Sequence, residues 1–206
     1  MKNREIRTVT VAGLEVRADA DKPPTIRGHA AMFNSETDIA GLFAEQIAPG
    51  AFARAIDEGQ DVRALFNHDE SVVMARTTNG TLRLTEDKQG LRVDFDPNMD
   101  SQAVSDVVSS IERGDVSQMS FAFRATKETW EERDDKLDLR TVQDVDLFDV
   151  SAVTYPAYDD TTVAVRMQGE WRDAEKEHAD AVDAAKAAGA RAHQDQKQRQ
   201  AESKLG

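Results

Sequence analysis

Apolar positions along residues 1–166 recur mostly with period two, in short runs separated by Gly, Pro and Asn. Val9, Val11 and Val16 predict a leading strand or hairpin punctuated by Pro23-Pro24, and Ile26 to Phe33 predicts the next strand. Pro49-Gly50 opens a short helix over Ala51 to Glu58, which Gly59 closes. Val62 to Phe66 reads as a strand. Apolar character resumes at Val72-Val73-Met74 after a polar stretch from Asn67 to Ser71. Asn79-Gly80 marks a turn before an alternating Thr81 to Thr85. Leu91, Val93 and Phe95 alternate with Arg92, Asp94 and Asp96, as in a half-buried strand.

The period then changes. Val104, Val107, Val108 and Ile111 recur at spacings of three and four. Asp100 or Ser101 can cap this helix and Gly114 can end it. Period two returns with Met119, Phe121 and Phe123 on one face and Ser120, Ala122 and Arg124 on the other. Glu131 to Lys136 predicts a charged hairpin tip, Val142 to Thr154 a long extended run, and Thr161 to Arg166 a final short strand. Many short strands with two helices predict a mixed α/β domain of mainly antiparallel strands. The expected architecture is a small β-barrel or sandwich surrounded by helices, not a parallel βαβ sheet.

After Arg166 the pattern stops. Residues 167–206 are rich in Ala, Gln, Lys and Glu and contain no Phe, Tyr or Ile, so a helix there has little to bury. The expected organisation is a domain over 1–166 and a polar tail over 167–206, helical or flexible.

Charge and composition narrow the chemistry. The 206 residues carry 39 acidic and 26 basic side chains, a net charge of −13. That balance argues against an exposed polyanion as main partner, so no direct nucleic-acid binding is expected. There is no cysteine, which removes disulfides, zinc–thiolate sites and cysteine nucleophiles. No apolar run approaches the ~20 residues of a membrane span, and residues 1–20 do not read as a secretory signal. No membrane partner is expected, and the cytoplasm is the default location. The chain lacks a P-loop, an H-E-x-x-H pair, a G-x-S-x-G elbow and an EF-hand. No metal or cofactor is expected. His178 and His193 lie in the tail and read as solvated residues.

Three residues carry candidate chemistry. His68 stands where an apolar strand meets a polar loop, a position that suits a general base or a histidine bonded to a neighbour. Ser120 points away from the Met119–Phe121–Phe123 stripe, beside the small Ala122, which leaves room for an extended substrate. By itself it also fits an ordinary surface serine. Strict alternation puts Asp149 on one face with Val145, Leu147 and Val153, with Phe148, Val150 and Ala152 on the other. A carboxylate in such company needs a partner, either His68 or an arginine such as Arg124 or Arg140.

Four ordered segments carry a resemblance: Ile47-Ala48-Pro49-Gly50-Ala51-Phe52, Leu65-Phe66-Asn67-His68-Asp69, Met119-Ser120-Phe121-Ala122-Phe123, and Asp149-Val150-Ser151-Ala152-Val153-Thr154-Tyr155-Pro156-Ala157-Tyr158. They resemble signature stretches of the prohead-protease family of tailed phages, in order from about Ile26 to Arg166. The resemblance implies a serine endopeptidase with Ser120 as nucleophile, His68 as base and a carboxylate as third member. That third member falls on Asp149, where the family often shows Glu, with Asp144 and Asp146 on the same segment as alternatives. It further implies a herpesvirus-protease-like fold with scope for self-association. The implied substrates are the major capsid protein precursor, through its scaffolding segment, and the protease itself. The implied location is the assembling procapsid in the host cell cytoplasm. A noncatalytic capsid-assembly or scaffolding protein that retains the fold is the alternative.

Overall fold

The computed structural model describes residues 4–9, 14–17, 23–155, 168–177, 180–182, 184 and 186. The chain divides into two compact units, Met1–Thr161 and Thr162–Gly206. In the second unit residues 168–177 are helical and mostly exposed. The strand expected over Thr161 to Arg166, and His178 and His193, lie outside the described residues.

The first unit runs β1 (Glu5–Val9), β2 (Glu15–Arg17), β3 (Thr25–Met32), β4 (Thr37–Ile39), β5 (Phe43–Ile47), α1 (Ala53–Asp57), β6 (Arg63–Phe66), β7 (Asp69–Arg76), β8 (Leu82–Glu86), β9 (Gly90–Phe95), α2 (Gln102–Glu112), β10 (Gln118–Glu131) and β11 (Leu139–Val153). α2 lies where the apolar spacing put it, and α1 lies within the Ala51 to Glu58 stretch expected between Gly50 and Gly59. Val104, Val107, Val108 and Ile111 are the buried face of α2. The charged stretch after Glu131 is the tip of the β10–β11 hairpin. The leading segment is not a hairpin: β1 pairs with β10 and β2 with β3, in different sheets.

A four-stranded antiparallel sheet has the order β2-β3-β9-β8. A seven-stranded sheet has the order β1-β10-β11-β5-β4, with β6 also on β11 and β7 on β6. Among the described residues neither sheet closes, so the expected β-barrel is corrected to two open sheets. The reason lies on β11. One of its edges follows β10, and the other is divided between two short parallel strands, β5 opposite Leu139–Val142 and β6 opposite Asp149–Ala152. α1 crosses over between these two strands. In the gap, Val145 N donates to Ala51 O at 3.2 Å and Leu147 N to Gln60 Oε1 at 2.9 Å. A divided edge forks the sheet, whereas a barrel needs a ladder that continues round to the first strand. The mixed α/β class with mostly antiparallel pairing stands.

One apolar core joins residues of both sheets and both helices, with Phe95, Phe121, Phe123, Val145, Leu147, Val150 and Ala152 among them. Phe121 anchors it, with ring centroids 5.6 Å from Phe52 and 5.0 Å from Phe123. Gly90 sets how closely β9 approaches β3. A Cβ there would lie 1.9 Å from the Ala31 carbonyl oxygen, which is backbone and cannot swing away. Gly90→Ala is therefore expected to cost on the order of 1–3 kcal/mol or more, read as a lowered denaturation midpoint. An unchanged midpoint would contradict this packing.

Candidate active site

The β10–β11 ladder carries a register shift between Ala122 and Phe123. Ala122 faces Asp149 while Phe123 faces Leu147, which leaves Phe148 as an extra residue. Such a bulge turns the following side chains over. Val150 and Ala152 therefore continue the core face of Val145 and Leu147. This corrects the strict alternation read from the sequence, which put those two pairs on opposite faces. Asp149 and Ser151 instead stand opposite Ala122 and Ser120, on the face away from the core.

His68 reaches that face from β6, which pairs with β11 opposite Asp149–Ala152. β6 and β7 are joined by only two residues, Asn67 (φ 52°) and His68 (φ 57°), both left-handed. Two left-handed residues make the tight hairpin turn whose twist suits its strands, and Asn is the side chain that tolerates this best. Asn67 also ties the turn to the end of β11. Its N–H donates to Ala152 O at 2.9 Å, and its Oδ1 accepts from Thr154 N at 3.0 Å and Thr154 Oγ1 at 3.1 Å.

These elements bring the three candidates together. Ser120 Oγ lies 2.7 Å from His68 Nε2, and His68 Nδ1 lies 2.6 Å from Asp149 Oδ1. Asp149 Oδ1 also accepts from Ser151 Oγ at 2.8 Å. With Nδ1–H donated to the carboxylate, Nε2 is the acceptor facing the serine. Ser120 is 0 % and Asp149 2 % exposed, so the carboxylate acts in a site largely shielded from water.

The other acids and histidine are engaged elsewhere. Asp144 and Asp146 hold Arg54, with Nε–Oδ2 and Nη2–Oδ1 contacts of 2.9 Å each. Asp146 also takes Arg124, which with Arg54 holds its carboxyl below the usual carboxylate range. His29 Nε2 meets Asp87 Oδ2 at 2.8 Å. Neither Arg124 nor Arg140 is the cation on Asp149. That cation is Arg4, through Nη2 to Oδ2.

Arg4 leads into β1, which pairs antiparallel with β10 in the register Thr8↔Ser120, Arg7↔Phe121, Glu5↔Phe123. Ser120 Oγ also lies 2.9 Å from the Arg7 carbonyl oxygen, an acceptor that competes with His68 for the one hydroxyl proton. β1 thus accounts for the burial of Ser120, where the sequence led us to expect open space beside Ala122. A cleft of about 330 Å³ remains on the Asp149 side, lined by Arg4, Arg63, Glu70 and Phe148 among others. Arg4, Ser151 and the covering role of β1 were not read from the sequence. Ser151 had a usable signal, since it follows Asp149 by two on the same strand. Among the described residues no His, Asp and Glu group could hold a metal ion, and no helix is long and apolar enough to cross a membrane.

Residues 12–175 match the family described as Caudovirus prohead serine protease. The chain belongs to that family. It is a serine protease of the prohead, the precursor shell that matures into the capsid. Membership implies that this protease meets capsid or scaffolding proteins. Among solved structures it is similar to the bacteriophage T4 capsid assembly protease, gp21, with a TM-score of 0.54 and 10 % identity. The likeness covers 75 % of this chain and 98 % of that one, and it shows a shared fold. Neither finding links the chain to the herpesvirus proteases, and that part of the expected fold is withdrawn. No curated protein matches the sequence.

Asn67→Ala removes both Thr154 bonds and places a residue without a compensating side chain in the left-handed region. The expected loss is roughly 1–2 kcal/mol, measured by denaturant unfolding. Asn67→Gly, which restores backbone freedom but not the bonds, should lose less.

Proposed function

We propose that Ser120 is the nucleophile of this protease, His68 its general base and Asp149 the carboxylate that orients and stabilises the imidazole. What supports this is the continuous set of bonds from Ser120 through His68 to Asp149, made by side chains from three separate segments. His68 Nε2 takes the Ser120 proton as Oγ attacks a peptide carbonyl. It then gives that proton to the leaving amine, and water repeats the sequence to free the acyl group. Ser151 holds Asp149 in line. A noncatalytic assembly role would leave these bonds without purpose.

In this reading the described state is closed. A substrate chain reaches the Ser120 hydroxyl only after β1 gives up the edge of β10 and Arg4 releases Asp149. The substrates are the scaffolding segment of the major capsid protein precursor and the protease itself, cut within the assembling procapsid in the host cytoplasm. The domain ends near Arg166, and residues 167–206 are a tail that the enzyme trims.

Ser120→Ala and His68→Ala should abolish processing of a coexpressed capsid precursor while the protein stays folded. Asp149→Asn should slow acylation by about 10²–10⁴-fold. Asp144→Asn and Asp146→Asn should spare acylation and lower stability through Arg54. Normal processing by a folded Ser120→Ala protein would overturn the assignment. A neighbour more damaging than Asp149→Asn would move the third member.

A chain ending at Arg166 should fold. Mass spectrometry after assembly should find the tail trimmed in wild type and intact in Ser120→Ala. A full-length wild-type chain in mature capsids would contradict self-trimming.

A further inference from the structure

β1 carries two charged side chains into a buried cluster with Glu45 and Arg140. Arg7 Nε lies 2.5 Å from Glu45 Oε1 and Nη2 lies 3.0 Å from Glu45 Oε2. Its guanidinium carbon stands 5.8 Å from the Phe123 ring centre. Two positions earlier, Glu5 Oε2 lies 2.6 Å from Arg140 Nη1, and Glu5 Oε1 lies 3.2 Å from Nη2. Arg140 and Glu45, 1 % and 3 % exposed, are joined at 2.6 Å, and Arg140 also holds Glu128. Burial alone would lower the Arg7 pKa and raise that of Glu45. Their mutual attraction outweighs it, so both stay charged.

The strand that bears Glu5 and Arg7 lies along the outer edge of β10, with the Arg7 carbonyl on the Ser120 hydroxyl. A protease that adds a substrate as an extra strand needs that same edge and that same carbonyl position. We infer that β1 occupies the substrate's place. Glu45 with the Phe123 ring then selects a basic residue whose carbonyl faces Ser120, and Arg140 selects an acidic residue two positions before it. This rests on the catalytic reading above.

The physical argument is one of compensation. Glu45 and Arg140 are fixed, buried and of opposite sign. A strand with an acid–x–base pattern supplies one counter-charge to each. A strand with an apolar residue at the second place leaves Glu45 with Arg140 alone, and a strand with reversed charges meets repulsion at both places. The pattern Glu5-Ile6-Arg7 recurs in this chain as Glu15-Val16-Arg17, Glu131-Glu132-Arg133 and Glu170-Trp171-Arg172. Glu15–Arg17 is paired in β2, and Glu131–Arg133 stands at the hairpin tip. Glu170 and Arg172 are exposed, just beyond Arg166. The tail also holds the acid–x–base triplets Asp195-Gln196-Lys197 and Glu202-Ser203-Lys204, so trimming is placed after Arg172 because only there does the Glu–x–Arg form of β1 itself recur in the tail.

The test uses the full-length chain and peptidyl diphenyl phosphonates of the form Glu-Ile-X, with X the side-chain analogue of Arg, Lys, Leu or Glu. The Ser120 oxygen bonds to phosphorus as one phenoxide leaves with the proton. Labelling rates are followed by mass spectrometry and the labelled serine is mapped. The Arg probe should label Ser120 at least about tenfold faster than the Leu and Glu probes, and a Gln-Ile-Arg probe should be slower than Glu-Ile-Arg. E45Q should bring the Arg rate down towards the Leu rate. Should E45Q fail to fold, the wild-type ranking decides. Leu or Glu probes that label Ser120 as fast as Arg overturn the specificity and leave the catalytic reading standing. No labelling of Ser120 by any probe, both in wild type and in a Glu5→Gln, Arg7→Gln chain whose β1 has lost its two buried ion pairs, sinks the catalytic reading and this inference with it.

Discussion

The extra residue at Phe148 is the constraint on which the site depends. In an unbroken ladder Asp149 would point with Val145 and Leu147 into the apolar core, where a lone carboxylate is costly. The bulge hands the core face to Val150 and Ala152 and turns Asp149 to the side of Ser120. β11 then organises the rest. One edge holds β10 with the serine, and the far end of the other edge holds β6, whose two-residue turn delivers His68. The fork that keeps the sheet from closing is the same feature that makes room for β6 beside Asp149.

Electrostatics explains why β1 sits where it does. Its contribution is a set of charges: Arg4 on Asp149, Glu5 on Arg140, Arg7 on Glu45. Buried ion pairs add little net stability compared with apolar packing, but breaking one partner out of such a set is costly. They therefore fix the register of β1 along β10 more than they add to the fold's stability. That register puts a peptide carbonyl on the Ser120 hydroxyl.

Much of this was readable in the residues. Alternation placed β8, β9 and β10, and the three-and-four spacing placed α2. The match of four short segments pointed to Ser120 and His68. What escaped has physical reasons. A β-bulge leaves no mark in a pattern of period two, so Asp149 was placed on the face of Val145 and Leu147, with His68 or an arginine left open as its partner. Asn67-His68 is a tight turn without the glycine that usually announces one, so Asn67 to Ser71 read as a loop although β7 starts at Asp69. β4 and β5 are short and mixed in polarity, and Glu45 on β5 was missed with them. Closure of a sheet depends on which distant edges meet, and the spacing of short strands does not encode that.

The central claim is that Ser120 is activated by His68. It is tested most directly by labelling the full-length chain with a small fluorophosphonate and mapping the adduct by tryptic mass spectrometry, in wild type and in His68→Ala. The account predicts an adduct on Ser120 that forms in wild type and is lost in His68→Ala. An adduct on Ser117 or Ser151, or a Ser120 adduct that forms equally fast without His68, would contradict it.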